Sequence, residues 1–332
     1  MRKVIWIIAV VALAWCGWWW VASASLRGAV TTWFDARAAE GWQAELRRIE
    51  GGGFPLTLHA GLRDMAVADP DAGVAIRTNA LDISAPAWWP GDVTVTLDNG
   101  PILLASPLGR SMLTMQNGVM ALNLHPGTAL EIEALGWTSG PWRVSDAQGA
   151  QAAASDLTLT MVQTKGNQYA LTAAATTFTP GDAARRGLRL PEDFPEAFDS
   201  LQMRADITFD TAWDRRALDQ RRPQPRVIDL HLAEAIWGDL QFNLSADLTV
   251  DEIGVPAGTI AIQAENWRTM LDLAQNVGVL PAQLRGQAES VLQALANASG
   301  NADTLDVELT LRDGAVRLGF LPLAPVPRLI LR

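Results

Sequence analysis

The histidines and acidic residues are the side chains of this chain that could support acid–base or metal chemistry. The three histidines lie far apart in the sequence, at His59, His125 and His231. No two of them have the spacing of a metal-binding pair. The acidic pairs Glu131/Glu133 and Asp303/Asp306 lie in ordinary strand or turn contexts, where carboxylates are usually solvated. We therefore expect no catalytic residue, no metal and no other cofactor, and we expect that the protein is not an enzyme.

Arginines form the one basic cluster, which comprises Arg215, Arg216, Arg221, Arg222 and Arg226. The cluster fits either a solvated loop or a contact for an anionic partner. The formal net charge of the whole chain is −10. Because nucleic acids attract cationic surfaces, this charge argues against a nucleic-acid partner.

An uncharged apolar run from Val4 to Val21 follows Arg2 and Lys3. As a helix it would be about 27 Å long, close to the hydrocarbon thickness of a bilayer. The predicted anchor residues are Val4, Ile8, Val11, Leu13, Trp18, Trp19 and Trp20. Cationic residues stay on the cytoplasmic side, so we expect a single-pass inner-membrane protein with a cytoplasmic N-terminus and a periplasmic domain. The alternative is a signal peptide cleaved at Ala22-Ser23-Ala24.

Residues 1–24 are thus the predicted anchor, and apolar residues at spacings of three and four predict a separate amphipathic helix over residues 25–48. The Gly51-Gly52-Gly53 run would end that helix. Two further apolar stripes predict a pair of helices near residues 266–298.

The rest of the chain has the alternation of apolar and polar residues that is typical of strands. The clearest example is Leu240 to Val250, whose even-numbered positions are apolar. Asn99-Gly100, Asn117-Gly118 and Asp313-Gly314 predict three tight hairpins. The fold class is therefore mainly β (α+β), with curved antiparallel sheets built of meander hairpins. A polar, proline-containing segment near residue 190 favours two β-rich halves, residues 49–190 and 191–332.

Several short motifs, taken in order, resemble the domain-of-unknown-function 2125 family of proteobacterial proteins. These motifs are the aromatic-ended anchor, Gly53-Phe54-Pro55, Trp237-Gly238, Asp313-Gly314 and the closing run from Leu321 to Pro327. The resemblance implies an envelope protein without an established activity and assigns no functional residue. The architecture is also distantly similar to that of AsmA-like envelope proteins, which are tied to lipid movement.

Long one-sided strands expose more apolar surface than two helices can cover. The candidate residues for an apolar groove or core are Leu240, Phe242, Leu244, Leu248 and Val250. Two sheets could bury them in a closed sandwich, or a curved sheet could leave a groove for lipid acyl chains. The first hypothesis is a non-enzymatic protein that binds or shuttles lipid or supports envelope biogenesis. The alternative is a structural module that recruits other envelope proteins.

Overall fold

The computed structural model describes residues 2–190, 194–219, 221–278, 280–299 and 301–331. The helices are α1 (Arg2–Ala39), α2 (Asp182–Leu188), α3 (Arg216–Asp219), α4 (Trp267–Asn276) and α5 (Arg285–Ser299), with a 3₁₀ turn at Ala282–Leu284. The first ten strands are β1 (Gln43–Gly52), β2 (Thr57–Asp69), β3 (Val74–Pro86), β4 (Asp92–Leu97), β5 (Ile102–Ser106), β6 (Gly109–Met115), β7 (Val119–Leu124), β8 (Ile132–Ser139), β9 (Trp142–Asp146) and β10 (Gly149–Ala154). The others are β11 (Leu157–Lys165), β12 (Gln168–Thr176), β13 (Thr179–Pro180), β14 (Ser200–Phe209), β15 (Pro225–Trp237), β16 (Leu240–Val250), β17 (Pro256–Glu265), β18 (Thr304–Arg312), β19 (Ala315–Leu318) and β20 (Leu321–Pro325).

The chain folds into two compact units. Unit 1 comprises Met1–Pro126 and Trp137–Ala147, and unit 2 comprises Gly127–Gly136 and Gln148–Arg332. The expected boundary between residues 190 and 191 falls inside unit 2, and residues 191–193 lie outside the described residues.

Unit 1 is an antiparallel sheet with a branch at β3. Strand β2 pairs with β1 on one side and with β3 on the other. One half of β3 pairs with β4, which continues to β7, and the other half pairs with β5, which continues to β6 and β9. The long hairpin of β2 and β3 is therefore the central element of this unit.

Helix α1 is longer than the predicted anchor, and it ends earlier than the predicted second helix. It runs without a break from Arg2 to Ala39 and so joins the two helices expected over residues 1–24 and 25–48. The helix prediction is wrong for residues 43–48, which belong to β1 and pair with β2. Gly41, at φ +91°, has a backbone conformation outside the helical region and follows the last helical turn. The spacing of apolar residues carries no information about the pairing of residues 43–48 with β2.

Unit 2 is an antiparallel meander. Strands β11, β12, β14, β15, β16, β17, β18, β19 and β20 pair in that order. The registers of β14 and β15 shift near Ala205 and between Leu230 and Ala233. Such bulges bend strands and increase their twist. These sheets confirm the mainly β class of the fold.

The three predicted hairpin turns have different outcomes. Asp313 and Gly314, at φ +55° and +72°, connect the directly paired strands β18 and β19, which confirms that hairpin. The Asn99-Gly100 turn instead leads from β4 to β5, and the register of each of these strands is with β3. The Asn117-Gly118 turn leads from β6 to β7, whose registers are with β5, β9 and β4. A turn sequence fixes a local reversal, but tertiary packing selects the partner strands.

Helices α4 and α5 are confirmed near their predicted positions and cover one end of the sheet of unit 2. Trp267 and Ala296 are buried against Ala264, Leu305 and Val307 of β17 and β18. The polar, proline-containing segment that favoured a boundary near residue 190 contains helix α2.

Candidate functional site

The first half of α1 presents apolar side chains that no other described element buries. Val4, Ile8, Val11 and Leu13 are each about two-thirds exposed. Among the described residues, α1 is the one helix that is long and apolar enough to cross a membrane. The helix is therefore compatible with a single-pass membrane anchor.

Three tryptophans of α1 attach the helix to the rest of unit 1. The indole N–H groups of Trp15, Trp18 and Trp19 donate to the carbonyl oxygens of Pro55, Ala87 and Thr57, each at an N···O distance of 2.9 Å. We call these three contacts the tryptophan clamp.

The spacing of Trp15, Trp18 and Trp19 places them on one side of the helix. Trp20 points elsewhere and is 67% exposed. The ring of Trp19 also meets the Phe54 ring edge to face, with centroids 5.2 Å apart. Of the tryptophans predicted to belong to the anchor, Trp18 and Trp19 thus have a second role, which was not predicted.

The second half of α1 packs on the sheet of unit 1, as its apolar stripe predicted. Phe34 is buried with Ala60, Leu62 and Val67, and Leu26 and Val30 pack beside them. Ser23, near the middle of the helix, is 2% exposed. A single helix therefore combines an exposed apolar segment with a segment that forms part of a protein core.

Strand registers in unit 2 align apolar side chains across seven strands. Directly paired residues of antiparallel strands project from the same face of a sheet. One cross-strand row consists of Leu159, Ala173, Met203, Ala233, Leu244, Ile262 and Val307. The next consists of Met161, Leu171, Ala205, Leu230, Ala246, Ile260 and Leu309. We call these the two central rows. They contain no polar side chain and extend about 29 Å across the strands.

The central rows have a graded exposure. Leu159, at the β11 end, is 41% exposed, whereas Val307, at the β18 end, is 8% exposed under the two helices. Leu244, in the middle, is half-buried. Ala205 and Ala246, in the middle of the second row, are buried, at 5% and 7% exposed. The surface is thus a bent apolar strip that is covered at one end.

The rows on either side of the central rows are closed by bulky groups. Towards one strand end, Phe242 contacts the α4–α5 cluster. Towards the other, Tyr169 is fully buried, stacks edge to face on Phe209, and its hydroxyl accepts from the backbone N–H of Trp213 at 3.0 Å. Burial raises the pKa of Tyr169.

The five predicted groove residues all project from this face, but they differ in exposure. Leu240 and Val250, at the ends of β16, are each 6% exposed and belong to the closed margins. Leu244 and Leu248 are half-buried, as is Phe242. The residues that sequence reasoning missed are those of the neighbouring strands. Their alternation was visible, but the bulges of β15 determine which residues become neighbours.

Polar and acidic groups occupy the opposite face. Asp206, Asp229, Asp247, Thr259 and Thr310 form a cross-strand row there. The Nε2 and Nδ1 atoms of His231 lie 3.1 Å and 3.3 Å from carboxylate oxygens of the first two aspartates. The sheet of unit 2 therefore separates an apolar from a charged surface.

The titratable clusters are ion pairs rather than reactive constellations. In unit 1, Asp82 accepts from Arg63 and lies 3.1 Å from His59, and this carboxylate raises the pKa of Arg63. Within the described residues, no group of three or more His, Cys, Asp or Glu side chains could hold a metal ion.

The basic cluster has acidic partners within the chain. Arg216 pairs with the buried Asp214, and Arg221 and Arg226 lie within ion-pair distance of Asp210. The hydrogen bond from Arg216 lowers the pKa of Asp214. These pairs reduce the charge that the loop would offer to an anionic partner.

Comparisons with known proteins give one result. A family model described as "Uncharacterized protein conserved in bacteria (DUF2125)" matches residues 19–327, in agreement with the resemblance noted above. No curated protein and no solved structure matches the chain. The more distant likeness to AsmA-like proteins is not confirmed.

Proposed function

Because the chain belongs to this family of uncharacterised bacterial proteins, whose description names no activity, we propose a function from the structure. The protein is a non-enzymatic, inner-membrane-anchored periplasmic protein that holds lipid acyl chains on the central rows of unit 2. Such binding would serve lipid shuttling or envelope biogenesis. Helix α1 anchors the protein, with Arg2 and Lys3 on the cytoplasmic side.

The single observation that carries the proposal is the row containing Leu244. All seven residues of this row, Leu244 included, are apolar, and the middle of the row is half-buried. An acyl chain laid across the strands would bury this surface without needing any hydrogen-bond partner. A ligand with polar groups would find no donor or acceptor in the central rows.

A photocrosslinking experiment tests the proposal in the full-length protein. The protein is reconstituted into vesicles whose phospholipids carry a photoreactive group in the acyl chain, and crosslinked peptides are mapped by mass spectrometry. We expect crosslinks on β14 to β17 in addition to those on α1. The α1 crosslinks serve as an internal reference for reconstitution, and crosslinks confined to α1 would refute the proposal.

Two matched substitutions on β16 sharpen the test. Leu244→Asp places a carboxylate in the central row, whereas Ser245→Asp places the same charge on the opposite face. We expect the first variant to lose the crosslinks on β14 to β17 at a nearly unchanged melting temperature. The second variant should keep those crosslinks.

The same pair of variants distinguishes a lipid groove from a closed core. A carboxylate in a closed core would destabilise the fold by several kcal/mol, enough to unfold a domain of ordinary stability. Unfolding of the Leu244→Asp variant alone would therefore count against acyl-chain binding. The alternative function, recruitment of envelope proteins, would then be examined by crosslinking between proteins through the loop from Arg215 to Arg226.

A further inference from the structure

The tryptophan clamp sets the depth of unit 1 relative to any membrane that α1 crosses. Trp15 is eleven residues after Val4, about 17 Å along the helix axis. The hydrocarbon core of a bilayer is about 30 Å thick. A span that starts near Val4 therefore still lies within the bilayer at Trp15. Because the Trp15 indole is bonded to the carbonyl of Pro55, that part of unit 1 must lie at a similar depth.

The part of unit 1 held by the clamp consists of the segments Gly53–Thr57 and Pro86–Pro90, at one end of the β2–β3 hairpin. We call these two segments the tip. Phe54, Leu56 and Trp88 of the tip are 57%, 59% and 65% exposed. Large apolar side chains on a protein surface mark contacts with membranes or with other proteins. The depth set by Trp15 favours the membrane.

Several backbone carbonyl groups of the tip have hydrogen-bond donors from within the protein. Unpaired carbonyl groups are costly in a bilayer, so irregular backbone at that depth needs partners from the protein. The clamp supplies donors to the carbonyls of Pro55, Thr57 and Ala87, and the Ala87 N–H donates to the carbonyl of Leu56 at 2.8 Å. Helix α1 and the tip thus supply hydrogen-bond donors to four carbonyl groups of the tip.

We propose that the tip of unit 1 inserts Phe54, Leu56 and Trp88 into the bilayer leaflet on the side of the membrane that carries the domain. The inference rests on the anchoring of α1 that is part of the proposed function. It adds a second membrane contact, which holds the β2–β3 hairpin with one end in the membrane.

Site-specific fluorescence in the full-length protein tests this inference. Cys16 is the only cysteine and is exposed on α1, so a fluorophore attached to it reports insertion of the anchor. In a Cys16→Ser background, Leu56→Cys and Trp88→Cys place the same fluorophore on the tip. Both side chains are mostly exposed, so their replacement removes little packing.

Leu108 provides the matched control position. Its side chain is 99% exposed on the turn between β5 and β6, and β5 pairs with the start of β3. The turn therefore lies near the opposite end of the β2–β3 hairpin, about 40 Å from the tip. Leu108→Cys gives a label on an even more exposed leucine of the same unit.

Vesicles containing phospholipids with brominated acyl chains quench only fluorophores that enter the bilayer. We expect quenching and a blue shift at Leu56→Cys and Trp88→Cys approaching those at Cys16, and neither at Leu108→Cys. Quenching at Cys16 combined with tip labels that behave like Leu108→Cys would overturn the insertion of the tip but leave the anchor intact. Absence of quenching at Cys16 as well would overturn both the anchor and the insertion.

Discussion

Removal of the tryptophan clamp should loosen the contact between α1 and the tip of unit 1 at a measurable cost in stability. The perturbation is the combined replacement Trp15→Phe, Trp18→Phe and Trp19→Phe, which keeps a six-membered aromatic ring at each position but removes the indole N–H together with the pyrrole ring that carries it. Each lost hydrogen bond costs about 1 kcal/mol net, so the three together cost about 3 kcal/mol. Because the three bonds lie in one patch, their effects are coupled and the single variants need not sum to this value.

Thermal unfolding of the full-length protein in detergent micelles measures this cost. At roughly 3 °C per kcal/mol for a unit of well over 100 residues, the melting temperature of unit 1 should fall by about 10 °C. Circular dichroism of the strand signal is the suitable probe, since tryptophan fluorescence changes with the substitutions themselves. Trp20→Phe is the control, because Trp20 is mostly exposed and has no hydrogen bond to another described residue.

A triple variant that melts at the same temperature as Trp20→Phe would refute the reasoning. The clamp would then contribute nothing to the attachment of the helix, and the argument for the depth of the tip would lose its first step. A decrease confined to the Trp19→Phe single variant would assign the attachment to Trp19 alone, which both bonds Thr57 and contacts Phe54.

Two predictions concern titratable groups of unit 2. The hydrogen bond from Arg216 lowers the pKa of Asp214, so the ionised carboxylate stabilises the fold above the unfolded-state pKa of about 3.9. That contribution is lost as the pH falls through the lower, folded-state pKa. Asp214→Asn should therefore flatten the fall in the free energy of unfolding below about pH 4. The free energy is measured by urea titration at each pH, and an equal dependence on pH in both proteins would contradict this. Burial raises the pKa of Tyr169, the only tyrosine, so the phenolate absorbance of the folded protein should appear at a higher pH than that of a free tyrosine, whose pKa is about 10. Phenolate formation at the ordinary pH in the folded protein would show that the hydroxyl is accessible to water.

The elements predicted correctly are those whose signal lies within a short segment. Strand β16 has the predicted bounds because its six apolar residues alternate without interruption. The turn at Asp313-Gly314 forms its hairpin because both residues adopt the positive φ that the turn requires. In each case, local conformation and burial favour the same structure.

The elements predicted incorrectly depend on distant partners. Trp42 and Leu46 continue the helical spacing of α1, yet they lie beyond its end and pack against the same cluster from β1 and the preceding turn. The spacing identified the correct core face but not the conformation. In the same way, Trp15 and Trp19 share a helix face in the sequence, but their carbonyl partners lie 40 and 38 residues away.

The apolar face of unit 2 also depends on distant partners, because the pairing of its strands determines which side chains become neighbours. Each strand of unit 2 shows its apolar side, so the existence of an apolar face was predictable. The neighbours of Leu244 across the sheet were not, because one bulge in β15 changes the register by one residue relative to β16. The two central rows become visible only after all registers are known.

The energetics of the central rows support the proposal that an acyl chain covers their exposed part. Apolar surface removed from water contributes about 25 cal/mol per Å², so covering 100 Å² of the half-buried strip is worth about 2.5 kcal/mol. Helices α4 and α5 already provide this cover at the β18 end through Trp267 and Ala296. At the β11 end, Leu159 is still 41% exposed. An acyl chain would gain the same stabilisation there that the helices gain at the other end, and it would do so without changing a single strand register.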